Sequence, residues 1–292
     1  MVRAIETCVH CGFCLPTCPT YVTMGEEMDS PRGRIFLMKE VLEGRMDPKA
    51  AEPFIDNCLG CQACVTSCPS GVQYGELITP YRAWSEPKRK RRWFDRLRRR
   101  ALLSTLPYPG RFRTTINLAG WMRPLRQFLP KVLGDMMDMV PKDRSPKESL
   151  REFYPANGKR KARVGLLTGC AQQVLSPGIN QAAIRVLNRN GVEVVAPANQ
   201  ACCGALAMHI GAEAEAKATA RKNLAVFPDD LDAVITTAAG CGSGMQEYGL
   251  LFRGDPEERK ATVLAEKTQD VCTFLDTIGF TPPENAGGEG QI

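Results

Sequence analysis

The chain has 292 residues, 43% of them apolar, with 13 cysteines and a formal net charge of +6. That length suits about two domains whose cores need no staples, and 13 thiols are too sparse, and odd in number, for a disulfide scaffold. Met1-Val2-Arg3-Ala4-Ile5-Glu6 has no apolar signal core. Secreted and fibrous classes are excluded on this reading, and the thiols are expected in a reducing cytosol, where clustered cysteines mean metal or catalysis.

No segment reads as a membrane span. The stretch 164–184 lacks charge but contains Gln172, Gln173, Ser176, Pro177, Asn180 and Gln181, too polar for lipid. The charge is unevenly spread: net −4 over 1–80, +12 over 81–130, +4 over 131–164 and −6 over 165–292. A basic middle therefore joins two acidic ends.

The first element in the chain is Cys8-x2-Cys11-x2-Cys14-x3-Cys18-Pro19, repeated as Cys58-x2-Cys61-x2-Cys64-x3-Cys68-Pro69. This is the two-cluster bacterial ferredoxin run, in which the fourth cysteine ligates the other cluster. The expected sets are Cys8, Cys11, Cys14 and Cys68 on one [4Fe–4S] cluster, and Cys58, Cys61, Cys64 and Cys18 on the second. Structural zinc competes, yet zinc does not account for a remote fourth cysteine followed by proline, twice. His10 lies in the first run and is expected to tune a cluster or to pack. Between the runs, Ser30-Pro31 and the apolar residues up to Gly44 predict a helix with an N-cap, proline at N1 and a terminal glycine. Residues 1–80 thus read as a mostly helical ferredoxin-type domain.

Residues 81–160 read as a basic helical connector of short helices and turns, broken by Pro87, Pro107, Pro109, Pro124, Pro130, Pro141 and Pro146. Within 88–100, nine Lys or Arg residues bracket Trp93, Phe94 and Leu97. Two readings stand side by side: peripheral contact with an anionic membrane surface, or a helix packed on the neighbouring domain. Leu118, Met122, Leu125, Leu129, Val132 and Met136 continue the apolar steps. Nucleic acid is not expected, since no recognition motif accompanies the charge.

Residues 161–280 alternate strand and helix: strand 163–168, a helix from Ser176-Pro177 with Ile179, Ala182, Ala183, Val186 and Leu187 on its apolar stripe, strand 192–196, helix 212–227, strand 231–237 and helix 271–278. That order predicts an α/β layer with a parallel sheet. Cys170, Cys202-Cys203 and Cys241 follow the three strands, where ligands bind in open parallel sheets. Cys272 is expected to be a buried thiol, and His209 a neighbour of the cysteine site. Residues 281–292 read as a flexible Pro/Gly-rich tail.

The Cys170…Cys202-Cys203-Gly204…Cys241 pattern resembles the cysteine-rich CCG domain of heterodisulfide reductase and related redox subunits. Behind two ferredoxin runs, with Ser30–Arg34, His209 and Gly211 also matching, the chain resembles the iron–sulfur subunits of glycolate oxidase. The resemblance implies a mixed α+β chain that passes electrons from a flavin-binding dehydrogenase subunit, where a 2-hydroxy acid is oxidised, towards the quinone pool or another acceptor. With the reducing environment expected for the thiols and the basic segment 88–100, the expected place is cytoplasmic, with peripheral contact at the inner face of the membrane as one of the two readings of that segment. Alternatives are the same role for a glycerol-3-phosphate or lactate dehydrogenase, or a heterodisulfide-reductase-like thiol/disulfide reductase. The chain departs from the full CCG signature at Cys241-Gly-Ser-Gly244, where the last cysteine is absent. It also carries one CCG half where the family has two. Four thiols remain, enough for a third iron–sulfur cluster. No G-x-G-x-x-G follows a strand and no P-loop is present, so no substrate-oxidising site is expected in the chain.

Overall fold

The computed structural model describes residues 1–128, 131–138, 140 and 149–282. The first 88 residues form helices and no strand: Val2–Glu6, Pro19–Met24, Pro31–Leu42, Pro48–Asn57, Ala63–Thr66 and Gly75–Ser85, with 3₁₀ turns at Glu27–Asp29 and Glu86–Lys88. Pro19, Pro31 and Pro48 each open a helix, where proline's fixed φ is already helical and its missing N–H costs nothing. The expected cap at Ser30 is present, its hydroxyl accepting from Gly33 N at 3.0 Å. Ile35, Met38 and Val41 bury the inner stripe of that helix against Ala51, Ile55, Leu77, Ile78 and Tyr81.

A charged pair lies inside this apolar cluster. Arg34 donates from Nη2 to Asp29 at 2.9 Å, and the two side chains are 1% and 3% exposed. Arg34 Nε also donates to Phe54 O at 2.7 Å, and Asp29 accepts from Asn57 Nδ2 at 3.0 Å. These bonds tie helix Pro31–Leu42 to helix Pro48–Asn57 and to the turn before it.

The second half is built on five strands: β1 (Phe153–Tyr154), β2 (Ala162–Leu166), β3 (Val192–Val195), β4 (Ala233–Thr236) and β5 (Thr268–Asp270), in the order β1-β3-β2-β4-β5. All neighbours pair in parallel except β1, which runs antiparallel to β3. The predicted parallel sheet thus carries an antiparallel edge, supplied by a two-residue strand within 81–160 that no periodicity could signal. Successive side chains of a strand point to opposite faces. Ala233 and Ile235 join Val164, Leu166, Ile184 and Leu187 on one face, under helices Gly178–Arg189 and Val271–Ile278. Val234 faces the other layer, where Ala216, Ala220, Leu224, Phe227, Tyr248, Phe252 and Leu264 come from helices Glu213–Val226, Tyr248–Leu251 and Glu258–Lys267 and the turns beside them. On this side Gly165 is required, because a Cβ there would stand 2.7 Å from the Phe227 ring.

Two details correct the sequence reading. The buried stripe of helix Gly178–Arg189 is Asn180, Ala183, Ile184 and Leu187, leaving Ile179 45% and Val186 38% exposed. The helix is rotated so that Asn180 turns inward, for a reason given below. Cys272 is exposed, because helix Val271–Ile278 buries Phe274 and Leu275 with Val271 and Ile278 beside them, which puts position 272 on the outer face.

The connector is more regular than its prolines suggest, with 13-residue helices Trp93–Thr105 and Pro109–Trp121. Helix Gly75–Ser85 runs across residue 80. Leu129, Pro130, Pro141 and Pro146 and the tail from 283 lie outside the described residues, as do the side chains of Leu125, Val132 and Met136. Among the described residues no helix is long and apolar enough to cross a membrane.

Arg34→Met leaves Asp29 buried without its cation, and removing one member of such a pair costs about 3–5 kcal/mol. Denaturant unfolding should show that loss, and Asp29→Asn combined with Arg34→Met should recover part of it.

Candidate functional site

The cysteines occupy three places. In the first run Cys14 sits near Cys8 and Cys11, and its thiol is pushed up chiefly by burial. In the second run Cys64 is pushed up to about 12 by burial, with Cys58, Cys14, Cys61 and Cys18 adding their negative charge. Two thiols of the first run, Cys14 and Cys18, therefore stand close enough to Cys64 for their charge to act on it. Burial alone would raise Cys18, but hydrogen bonding from Thr20 and Tyr21 and the charge of Arg34 outweigh it, and its thiol is lowered. Cys68 accepts from Val72 N at 3.5 Å and packs in the same apolar cluster as Cys8, Cys14 and Cys58. The middle cysteines, Cys11 and Cys61, are exposed.

The third place is beyond the carboxyl ends of β2, β3 and β4. Cys170 and Cys202 are 3.3 Å apart through sulfur, and Cys203 lies within sulfur hydrogen-bond reach of both Cys202 and Cys241. All four predicted residues converge, although 71 positions separate the first from the last. In this cluster two thiols are held low: Cys202, to which Cys170, Cys203 and Gly204 N donate, and Cys241, to which Cys203 donates.

Buried amides hold these loops, and the sequence reading missed them. Asn180 Nδ2 donates to Thr168 O at 2.9 Å, and Gln200 Oε1 accepts from Thr168 N at 2.8 Å. Asn223 donates to Cys202 O at 3.1 Å and to Tyr248 Oη at 3.2 Å, while Tyr248 donates to Cys203 O at 2.8 Å. Buried loop backbone must find partners, so polar residues on core faces supply them. The signal was readable: Asn180 and Asn223 interrupt otherwise apolar helix stripes.

The second and third places adjoin. Helix Ala205–His209 begins directly after Cys203-Gly204, and a five-residue helix is roughly 7.5 Å long. At its far end the His209 ring covers Gly60, between Cys58 and Cys61. A Cβ on Gly60, which has φ +69°, would meet that ring at 3.0 Å. Burial, then the charge of Arg82, lowers the pKa of His209, which keeps it neutral. His10, by contrast, is exposed, its carbonyl accepting from Arg32 at 2.9 Å. Beside the contact, Gln62 and Thr79 from the first half both donate to the Glu247 carboxylate of the second.

The donor chemistry suits iron–sulfur clusters. Each place offers thiols, not a mixed set of His and carboxylate, and backbone N–H groups approach Cys68 and Cys202, the kind of hydrogen bond that tunes such clusters. Among the described residues no three His, Cys, Asp or Glu close on a single ion.

Known proteins bear the same features. Residues 4–72 match the 4Fe-4S dicluster domain family and residues 164–246 the cysteine-rich CCG domain family. The chain is 40% identical to the glycolate oxidase iron-sulfur subunit of Escherichia coli (strain K12), over 93% of this chain and 65% of that protein. It is 36% identical to the probable glycolate oxidase iron-sulfur subunit of Bacillus subtilis (strain 168), over 94% and 66%. Lactate utilization protein A of Shouchella clausii is 35% identical over 38% of this chain and 47% of its own length. The chain thus spans just under two thirds of the length of the first two. No solved structure matches it significantly.

Burial raises the Glu247 carboxyl above its ordinary value, despite the bonds from Thr79 and Gln62. An acid whose folded pKa is raised favours folding while protonated, and that contribution is lost as pH rises through the folded value. Glu247→Gln should abolish this loss and raise the neutral-pH melting temperature above wild type. Calorimetry from roughly pH 4 to 8 checks it, since ordinary Glu titrates near the lower limit.

Proposed function

The chain is a relative of the glycolate oxidase iron–sulfur subunits that joins a 4Fe-4S dicluster domain to a CCG domain, and on that premise we propose that it is an electron-transfer subunit. In this reading Cys8, Cys11, Cys14 and Cys68 hold one [4Fe–4S] cluster, Cys58, Cys61, Cys64 and Cys18 a second, and Cys170, Cys202, Cys203 and Cys241 a third. Such clusters, when bound, take up and release single electrons. The observation that carries the proposal is the contact of His209 with Gly60, which sets the third place directly against the second.

The chain's own work is to position and insulate. Arg34, at 3.8 Å from Cys18 Sγ, brings a buried positive charge to a thiolate. Tyr74 Oη lies 3.8 Å from Cys58 Sγ. The apolar residues around both runs bury Cys18 and Cys64, leave Cys8, Cys14, Cys58 and Cys68 half-buried, and leave Cys11 and Cys61 exposed. The electron donor is a flavin-binding partner that oxidises a 2-hydroxy acid, glycolate first, and the acceptor is the quinone pool. The likeness to lactate utilization protein A favours lactate as the second donor.

Anaerobically prepared protein should contain about 12 iron atoms per chain, with EPR signals of interacting reduced clusters. Cys203→Ser should lower the iron to about 8 and leave the ferredoxin signals intact. A zinc-loaded, iron-free protein would refute the proposal. A dye-linked assay of the chain with its flavin partner distinguishes the donors: glycolate turnover supports the first, lactate alone the second.

We propose also that the connector helix touches the inner membrane surface, and here the two readings of 88–100 separate by face. Arg89 and Arg91 pair with Asp56, and Arg99 pairs with Glu86 at 3.2 Å and donates to Ile210 O; these are packing arginines. Trp93, Phe94 and Leu97 are 65%, 63% and 56% exposed, with exposed Arg96, Arg98 and Arg100 around them. An outward apolar stripe edged by arginine suits an anionic lipid surface. Arg98→Gln with Arg100→Gln should weaken binding to phosphatidylglycerol vesicles by roughly tenfold or more. Equal binding in a sedimentation assay would refute the contact.

A further inference from the structure

Beneath the connector helix, where the two halves meet, is a cavity of about 190 Å³. Five guanidinium groups reach its wall, those of Arg82, Arg89, Arg91, Arg98 and Arg99, against three carboxylates, Asp56, Glu86 and Asp95. The carboxylates are already shared. Asp56 serves Arg89 and Arg91, Glu86 serves Arg89, Arg91 and Arg99, and Asp95 serves Arg98. Arg82 Nη2 spends its bonds on two neutral acceptors, Ile55 O and Cys58 O.

Arg89 is the sharpest case. Its side chain is 4% exposed, yet its Nε and Nη2 are buried with no hydrogen-bond partner among the described residues. Glu52 ion-pairs with Nε at 3.6 Å and Glu86 with Nη1 at 4.0 Å, but neither is close enough for a hydrogen bond. Unpaired buried donors on a charged group are among the most costly polar groups in a protein. The positive charges also act on one another: burial lowers the pKa of Arg99, and Arg91 and Arg89 lower it further against the pull of Glu86.

We propose that this cavity is a binding site for a small tetrahedral or planar oxyanion, phosphate in the first instance, held by the arginines of its wall, Arg89 among them. Forked guanidinium donors match such oxygens in pairs, and the volume admits an anion of that size but no lipid tail. Because the wall draws Arg82 and Asp56 from the first half and His209 and Ile210 from the second, a bound anion ties the halves together beside the Gly60–His209 contact. The site does not depend on the electron-transfer reading, and its test reads no redox activity.

The test measures the melting temperature and binding heat of the full iron-loaded chain in phosphate against chloride at equal ionic strength. Phosphate should raise the melting temperature in step with its concentration, as a ligand of the folded state must. Arg89→Gln should abolish the rise. Arg98→Gln removes a side chain that is 71% exposed, and with it an exposed ion pair to Asp95 at 3.4 Å that is worth little to the fold. This variant should stay folded yet weaken phosphate by about tenfold, the usual worth of one bond to a charged group. A second arm titrates phosphate against bound phosphatidylglycerol vesicles. Release assigns the same cavity to a lipid headgroup as well, and no release assigns it to the free anion. No heat and no phosphate-specific rise in wild type, or an undiminished rise in both variants, would overturn the site.

Discussion

The parallel pairing of β2 with β3 and with β4 is the constraint on which the second half depends. Val164 pairs with Val194 on one side and with Ala233 on the other, so the three strands end level. The loops that leave those ends carry Cys170, Cys202-Cys203 and Cys241. Parallel sheets need helical crossovers, and these crossovers cover both faces with apolar side chains. The rim beyond the carboxyl ends is then the one place where polar loops and thiols gather. The inward turn of Asn180 and Asn223 follows from this: loop carbonyls held so near a core need donors that the core itself must supply.

The first half reaches its arrangement by other means. With no strand to level the cysteine runs, it relies on prolines that start helices and on the bonds of Arg34 with Asp29 and Phe54 O, which knit the helices between the runs. The long insert between Cys18 and Cys58 thus acts as scaffold. It closes the apolar cluster behind the thiols, and it delivers Arg34 to the side of Cys18, where a positive charge suits a thiolate.

Between the halves the structure is polar. Glu247 accepts from Gln62 and Thr79, His209 covers Gly60, and arginines from the connector share carboxylates with the first half. Such contacts are directional, so they fix the halves in register more than they stabilise them. The +12 of residues 81–130 is divided by face: one set of arginines is held in ion pairs inside, and the other points outward beside Trp93 and Phe94. Net charge describes neither face.

The sequence by itself determined the local chemistry. Cysteine spacing, the Ser30-Pro31 cap, the alternation of strand and helix after residue 161 and the thiols placed at strand ends were all legible, because each depends on neighbours in the chain. Only the tertiary structure decided which face of an element turned inward. Ile179 turned out and Asn180 in because a distant carbonyl, that of Thr168, had to be satisfied. Cys272 turned out because Phe274 and Leu275 claimed the core. The two-residue strand Phe153–Tyr154 exists only because β3 offered it an edge, and the contact of His209 with Gly60 joins residues 149 positions apart. Such long-range pairings leave no periodicity behind, since they depend on what the rest of the chain presents once it has folded.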